Sequence, residues 1–481
     1  MSSRFLTCLL AVGLAACGGE TDATPPGPEP PRDVGLVDVH QPDAAAAQAG
    51  RRAFAEHELV QGVLPPAAMR HLYIAWDPGN LSSLARYYGD ADAYWAAFNA
   101  RYGTVPSPFE GAVYPAGFGT ADDGQVGIDC MLCHAGRHRG QTLVGLSNNR
   151  LDLRAFVEDL KALPAAIEAL KAMDLPAPYG QFVAAVPEVE VSEPFAGLAV
   201  PTGAAGVNDG FGLGLLTSSW YGTPPPALNT FAGYQDAPAW WTIRHKERLY
   251  TDGSAPASGI YTMMSTLLAF GLSTSELAAY VPTFGDIQSY LCTLEAPRWG
   301  DDPELAAIDE GLATEGAEVF ARKCASCHGD YGGGTFPNLV VATDEIGTDA
   351  FRVDAFTPLE AEWFNGFIPG GGADMTSTDG YLAPDLTGIW ASAPYLHNGS
   401  VPTLRALLVP ALRPARWRTL EGYDEADVGR AFETVDTAPE RDTVEGRRVV
   451  DTTLEAMGNG GHDITLGPDE VGAVLEYLKT L

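Results

Sequence analysis

The pentapeptide Cys-x-x-Cys-His occurs twice, as Cys130-Met131-Leu132-Cys133-His134 and as Cys324-Ala325-Ser326-Cys327-His328. Two thiols at this spacing share one short helical turn. Each can form a thioether with a vinyl group of haem, and the adjacent imidazole then reaches the iron as proximal axial ligand. A zinc site needs four ligands, and no further cysteine pair completes such a set. A dithiol redox pair leaves the following histidine unexplained in both copies. The motifs therefore point to two covalently bound haem c groups, with His134 and His328 on their irons.

The amino terminus agrees, because c-type haem is attached outside the cytoplasm. Arg4 precedes the short apolar run Phe5 to Leu14, the pattern of an export signal. Leu14-Ala15-Ala16-Cys17 has the form of a bacterial lipobox, with Cys17 as the lipidated first residue of the mature chain. The run is too short to span a bilayer, which takes roughly 20 apolar residues. A periplasmic lipoprotein on the outer membrane is expected, attached only through its lipid. Of seven cysteines, Cys8 leaves with the signal, Cys17 is lipidated, four hold haem and Cys292 remains. No disulfide is implied.

The expected organisation is a signal over 1–17, a Gly- and Pro-rich tether over 18–43, an N-terminal haem domain over 44–300 and a C-terminal cytochrome c domain over 301–481. The formal charge of -33 argues against nucleic acid or an anionic membrane as partner. A soluble electron-donor protein is compatible with it. An internal repeat supports two modules. Tyr290-Leu291-Cys292-Thr293-Leu294 ends 160 positions after His134, and Tyr477-Leu478-Lys479-Thr480-Leu481 ends 153 positions after His328.

Leu305, Ile308, Leu312, Val319 and Phe320 recur at helix-like spacing before the second motif, with Pro303 suited to a first turn. Val471, Val474, Leu475 and Leu478 share one face after Pro468-Asp469-Glu470, the start signal of a final helix. Leu84 to Phe98, Leu151 to Leu163 and Ser275 to Leu294 also read as helices, and Pro201 to Tyr234 as loop. The expected fold is mainly α, two tandem class I cytochrome c-like domains with long irregular loops and little β structure.

Four segments resemble the di-haem cytochrome c peroxidase and MauG superfamily, most closely its rubber-oxygenase-like branch. They are Gly127-Ile128-Asp129 running into the first motif, Pro238-Ala239-Trp240-Trp241, Ala393-Pro394-Tyr395-Leu396-His397-Asn398-Gly399-Ser400-Val401-Pro402, and Gly458-Asn459-Gly460-Gly461-His462. Rubber oxygenases are considerably longer, so polymer cleavage does not carry over. The resemblance implies that the distal ligand of the second haem sits in the glycine-rich loop before the final helix. His462 is the branch's choice there and Met457 the peroxidases' choice. It also implies that His397 belongs to a pocket loop around the second haem rather than to the iron, and that a tryptophan, Trp240 or Trp241, stands between the haems. Packing of a domain interface explains the tryptophan pair equally well.

No comparable Gly-His loop precedes Tyr290. His138 lies too near His134 in sequence to cross the haem face. His57 and His71 suit surface or packing roles, and His245 sits among Arg244, Lys246 and Arg248, a cluster suited to haem propionates. The first haem thus reads as open, with Tyr250 and Phe231 as candidate pocket walls, and in the resembling branch it is the oxygen-binding one. Peroxide or dioxygen is the expected small-molecule oxidant, with His134, Trp240 and Trp241 as catalytic candidates and the second haem as a six-coordinate electron relay. A pure electron carrier and a non-catalytic haem module are the competing classes.

Overall fold

The computed structural model describes residues 42–57, 62–77, 79–177, 179–191, 200, 202–208, 231, 233–258, 274–367 and 374–481. The signal, the lipobox, His40, nearly all of the tether and most of the Pro201 to Tyr234 stretch lie outside them. Helix Ala44–Ala55 opens the described chain, with the Asp43 carboxylate accepting from the Ala46 amide at its N-cap.

Two helix crossings organise the molecule. Ala44–Ala55 packs on Thr274–Leu291, and Glu310–Lys323 packs on Pro468–Leu478. Each crossing has a glycine at its closest approach. A Cβ on Gly50 would lie 2.2 Å from the Asp286 carbonyl oxygen, and one on Gly316 would lie 1.9 Å from that of Ala473. Only a residue without a side chain lets the backbones come this near. The second crossing matches the expected helix pair. In the first, the opening helix lies far upstream of its Cys-x-x-Cys-His motif, whereas Lys323 runs directly into Cys324.

Several helix bounds differ from expectation for local reasons. The helix before the second motif starts at Glu310, because the Asp309 carboxylate caps it by accepting from the Leu312 amide at 3.0 Å. Pro303, Leu305 and Ile308 precede it, and the two apolar residues pack on the C-terminal core from a loop. The Leu84 to Phe98 stretch is two helices, Leu81–Gly89 and Ala91–Tyr102, because Asp90 ends one and caps the next. Leu153–Lys171 runs through Pro164, since Leu163, Ile167 and Leu170 continue the buried face.

The expectation of little β structure is corrected. The described residues are mixed, 42% helical and 15% strand. Its longest strands form a hairpin, Arg416–Asp424 with Gly429–Thr434, and Val449–Asp451 pairs antiparallel to the other edge of the first strand. Most other strands have two to four residues and pair next to a loop. So short a strand shows no alternation for a sequence to display.

All described residues fall within one compact unit, Gly35–Leu481, and its cores ignore the expected boundary at residue 300. Phe54, Trp240 and Phe284 share a core with Phe356 and Phe364, while Val207 and Tyr234 share another with Trp417 and Met457. Two buried ion pairs cross the same boundary, Arg352 with Asp252 at 2.7 Å and Arg447 with Asp152 at 2.9 Å. Asp152 also caps helix Leu153–Lys171, so removing Arg447 would leave a buried carboxylate with half its partners.

The crossings yield a paired prediction. Gly316→Ala should lower stability by about 1–3 kcal/mol, because the backbone of the final helix must move. Gly472→Ala, in that same helix but with open space around it, should raise stability by roughly 0.5–1 kcal/mol. Thermal unfolding followed by circular dichroism measures both, and equal effects would contradict the close approach.

Candidate haem sites

Both Cys-x-x-Cys-His motifs form one helical turn, Met131–His134 and Ala325–His328. After each, a separate segment supplies a proline carbonyl. His134 Nδ1 lies 3.1 Å from the Pro238 oxygen, and His328 Nδ1 lies 2.9 Å from the Pro384 oxygen. A carbonyl can only accept, so Nδ1 must carry the proton in both rings. That fixes the tautomer and leaves Nε2 bare, the state that a metal requires. Both rings are deep in the molecule yet keep some accessible surface, and His328 lines an internal cavity. Burial holds both below the usual histidine pKa, His134 at about 4. They are neutral, ligand-ready imidazoles.

The thiols argue the same way. Burial pushes Cys133 and Cys324 up to about 11, opposite to the lowered pKa of a redox-active thiol. No group of three or more His, Cys, Asp or Glu side chains able to hold a metal ion occurs among the described residues. The zinc and dithiol readings therefore gain nothing.

At the second motif, a cavity of about 440 Å³ is lined by Cys324, Cys327, His328 and His462. The rings of His328 and His462 are neighbours in it, tilted by 58° with centroids 6.0 Å apart. Two metal–imidazole bonds of about 2 Å each leave roughly 1 Å per ring, close to an imidazole radius. The space between the rings thus suits one iron, and the surrounding cavity, walled by Phe320, Leu404, Leu408, Val474 and Leu478, suits an apolar macrocycle. Burial, followed by the neighbouring His328 and Arg413, brings His462 down to about 4. Met457 is elsewhere: it is fully buried beside Tyr234 and Gly203, in the core formed with Trp417.

The pocket segment Ala393 to Pro402 holds the loop that carries His462. Asn398 Nδ2 donates to the Gly458 oxygen at 3.0 Å, and Ser400 Oγ donates to the same oxygen at 3.2 Å. His397 lines the cavity with its ring stacked on Tyr381, centroids 4.0 Å apart, and burial lowers it to about 3. Its main-chain oxygen accepts from the Asp236 amide. The role of this segment thus rests on Asn398 and Ser400 as much as on His397, and the sequence reading missed both.

The N-terminal half also lines this cavity. Asp236, raised by burial to about 7 and accepting from Ser147 Oγ, lies on its wall with Lys246, lowered by burial to about 8. Tyr250 lies there too, so it borders the second motif's cavity, while Phe231 packs on Tyr234 and Phe351. Pro238 and Ala239 form another part of the wall and connect it to His134.

Trp240 stacks on His134 with centroids 4.5 Å apart and planes 17° from parallel. It is held by the hairpin that follows the first motif, its amide donating to the Gly145 oxygen at 2.8 Å. Trp241 points toward the second site, its Nε1 donating to the Thr387 oxygen at 2.8 Å. The two indoles therefore bridge the histidine environments and also fill the interface, so each account of them matches part of the geometry.

The other histidines of the described residues have different neighbours from His134. His57 Nδ1 lies 3.6 Å from Asp129, His71 neighbours the Tyr73 hydroxyl, and His138 stands edge-on to Trp390 and Tyr423. His245 bonds Asp385 at 2.5 Å and stacks on Phe336, which puts it beside the second motif.

Comparison with known proteins agrees with the C-terminal geometry. The family profile described as RoxA-like, cytochrome c-like matches residues 380–418, and that of the cbb3-type cytochrome C oxidase subunit III matches residues 311–383. Together they span the second motif and the pocket segment but reach neither His134 nor His462. Among curated proteins, the chain is similar to the uncharacterized protein y4iM of Sinorhizobium fredii. They are 29% identical over 335 residues, which cover 58% of this chain and 71% of that protein. It also resembles the uncharacterized protein y4iJ of the same organism, 29% identical over 275 residues that cover 43% of this chain and 44% of that protein. The C-terminal part of this chain is a cytochrome c-like domain, and with it the protein binds haem c covalently and takes part in electron transfer.

Proposed function

We propose that the chain is a di-haem c-type cytochrome whose two irons have unequal coordination. Cys130, Cys133 and His134 hold the first haem, and Cys324, Cys327 and His328 hold the second, with His462 as its opposing ligand. The observation that carries the reading is the repeated proline-carbonyl anchor on both proximal histidines, combined with an opposing imidazole at only one of them among the described residues. Bound haem supplies one-electron chemistry and, where its sixth position is open, reactivity toward peroxide or dioxygen. The residues of the chain divide that chemistry. His328 and His462 hold a site that keeps its coordination while electrons pass. His134, with one nitrogen fixed and no second imidazole among the described residues, leaves a site where a small oxidant can bind. Trp240 and Trp241 join the two.

The oxidant would be peroxide or dioxygen, and a soluble donor protein would return electrons to the second haem. The lipobox at Leu14 to Cys17 supports a periplasmic lipoprotein held by its lipid. No helix of the described residues is long and apolar enough to cross a membrane.

Three measurements test the reading on the full-length holoprotein. Mass spectrometry of the wild type should give two covalent haems per chain, with one lost in Cys130→Ser/Cys133→Ser and the other in Cys324→Ser/Cys327→Ser. The oxidised optical spectrum should contain a high-spin ferric band beside a low-spin one. A wholly low-spin spectrum in every redox state would mean a pure carrier. Finally, His462→Ala should convert the low-spin haem to high spin while Met457→Leu leaves it unchanged, and the reverse pattern would exchange the ligand assignment.

A further inference from the structure

His462 sits in a loop whose shape is imposed from outside. Its backbone has φ +53°, a left-handed conformation that a residue with a side chain adopts only when its surroundings require it. Gly461, at φ +77°, lies so near the neighbouring turn that a Cβ there would be 2.2 Å from the Gly347 carbonyl carbon. The His462 amide donates to the Ile346 oxygen at 2.7 Å, and the Gly458 amide donates to Asp349 Oδ2 at 3.0 Å.

One side chain brackets the peptides just before His462. Arg413 Nη1 donates to the Asn459 oxygen at 2.7 Å and to the Gly461 oxygen at 2.8 Å. The other edge of the same guanidinium donates from Nε to the Ala406 oxygen at 3.2 Å and from Nη2 to the Leu407 oxygen at 2.8 Å. Those carbonyls belong to the end of helix Leu404–Leu408, where intrahelical donors run out. Four of the five N–H groups thus end on main-chain oxygens. The Arg413 side chain is 4% exposed, and its nearest carboxylate, Asp463 at 3.6 Å, is itself 69% exposed. A buried guanidinium with so weak a counter-charge contributes little as an ion pair. Its geometric contribution is larger, because the rigid fork fixes the separation between a packed helix and the ligand loop. A lysine ammonium is a single point of charge and cannot span both.

We propose that Arg413 is a positioning residue that holds His462 opposite His328 and so keeps the second iron six-coordinate. The inference rests on His462 being the distal ligand. Without the bracket, the strained loop relaxes toward ordinary backbone conformations and withdraws the imidazole.

The test uses the full-length holoprotein with Arg413→Met, Arg413→Gln and the His462→Ala control. Haem content per chain, circular dichroism and the ferric spectrum are measured for each, and exogenous imidazole is then titrated in. Arg413→Met should retain both haems and its helical signal while the ratio of six- to five-coordinate second haem falls at least ten-fold. Imidazole should restore the low-spin band. Arg413→Gln, which keeps two donors, should fall between wild type and Arg413→Met, and it serves as the decisive variant if Arg413→Met loses haem. A wild-type spectrum in whichever Arg413 variant retains haem, beside a high-spin His462→Ala, would overturn the role of Arg413 and leave the ligand assignment standing. If His462→Ala itself stays low-spin, the assignment falls and this proposal with it. Loss of low-spin signal that imidazole cannot restore would mark a general structural role and also overturn it.

Discussion

An imidazole that binds iron must offer one bare nitrogen while something else holds the other, and the molecule meets this requirement twice with a proline carbonyl. The choice has a backbone logic, since proline has no N–H and the peptide before it favours extended conformations. Each acceptor segment must then be fixed by other means. At the first site, the hairpin after the motif binds the Trp240 amide two residues beyond Pro238. At the second, Leu382 and Ala383 donate to the Thr251 and Leu339 oxygens, and the Leu386 amide donates to the Tyr331 hydroxyl. The anchor of the C-terminal haem site therefore depends on a residue of the N-terminal half, and the halves cannot be understood as independent beads.

The asymmetry proposed for the two sites rests on how the described residues furnish each opposite face. A glycine-rich loop brings His462 over His328, and that loop is held almost wholly through its own main chain. Asn398, Ser400 and Arg413 reach its carbonyls, while Asp349 takes an amide. Glycines are needed there because the loop touches the turn at Gly347 without room for a Cβ. At His134, the neighbouring aromatic is Trp240, which stacks on the face of the ring and provides no ligand. Among the described residues no imidazole opposes His134, which is the basis for proposing an open site there.

Much of this was legible before any coordinates. The cysteine spacing pointed to haem c and proposed its proximal ligands, and the final helix announced itself through Pro468, Glu470 and a clean apolar face. The glycine-rich setting of His462 narrowed the distal ligand to two residues. Other features were hidden for definable reasons. Strands of two or three residues carry no periodicity, Asp309 and Asp90 relocated helix starts through single side-chain caps, and Pro164 did not end its helix because the buried face continued beyond it. The opening helix of the first module was obscured by its distance from the first motif.

The sequence alone pointed to what is covalent and local: two proposed attachment sites, two candidate proximal imidazoles and the helices that frame the second. It did so because thioether and axial bonds demand fixed residue types at fixed spacing. Only the tertiary structure decided which residues face each metal site from afar, namely the carbonyls of Pro238 and Pro384, the opposition of His462 to His328, and the Arg413 bracket. Hydrogen bonds to main-chain oxygens leave no residue signature at the acceptor, since every residue has a carbonyl. Their partners can be found only by folding the chain.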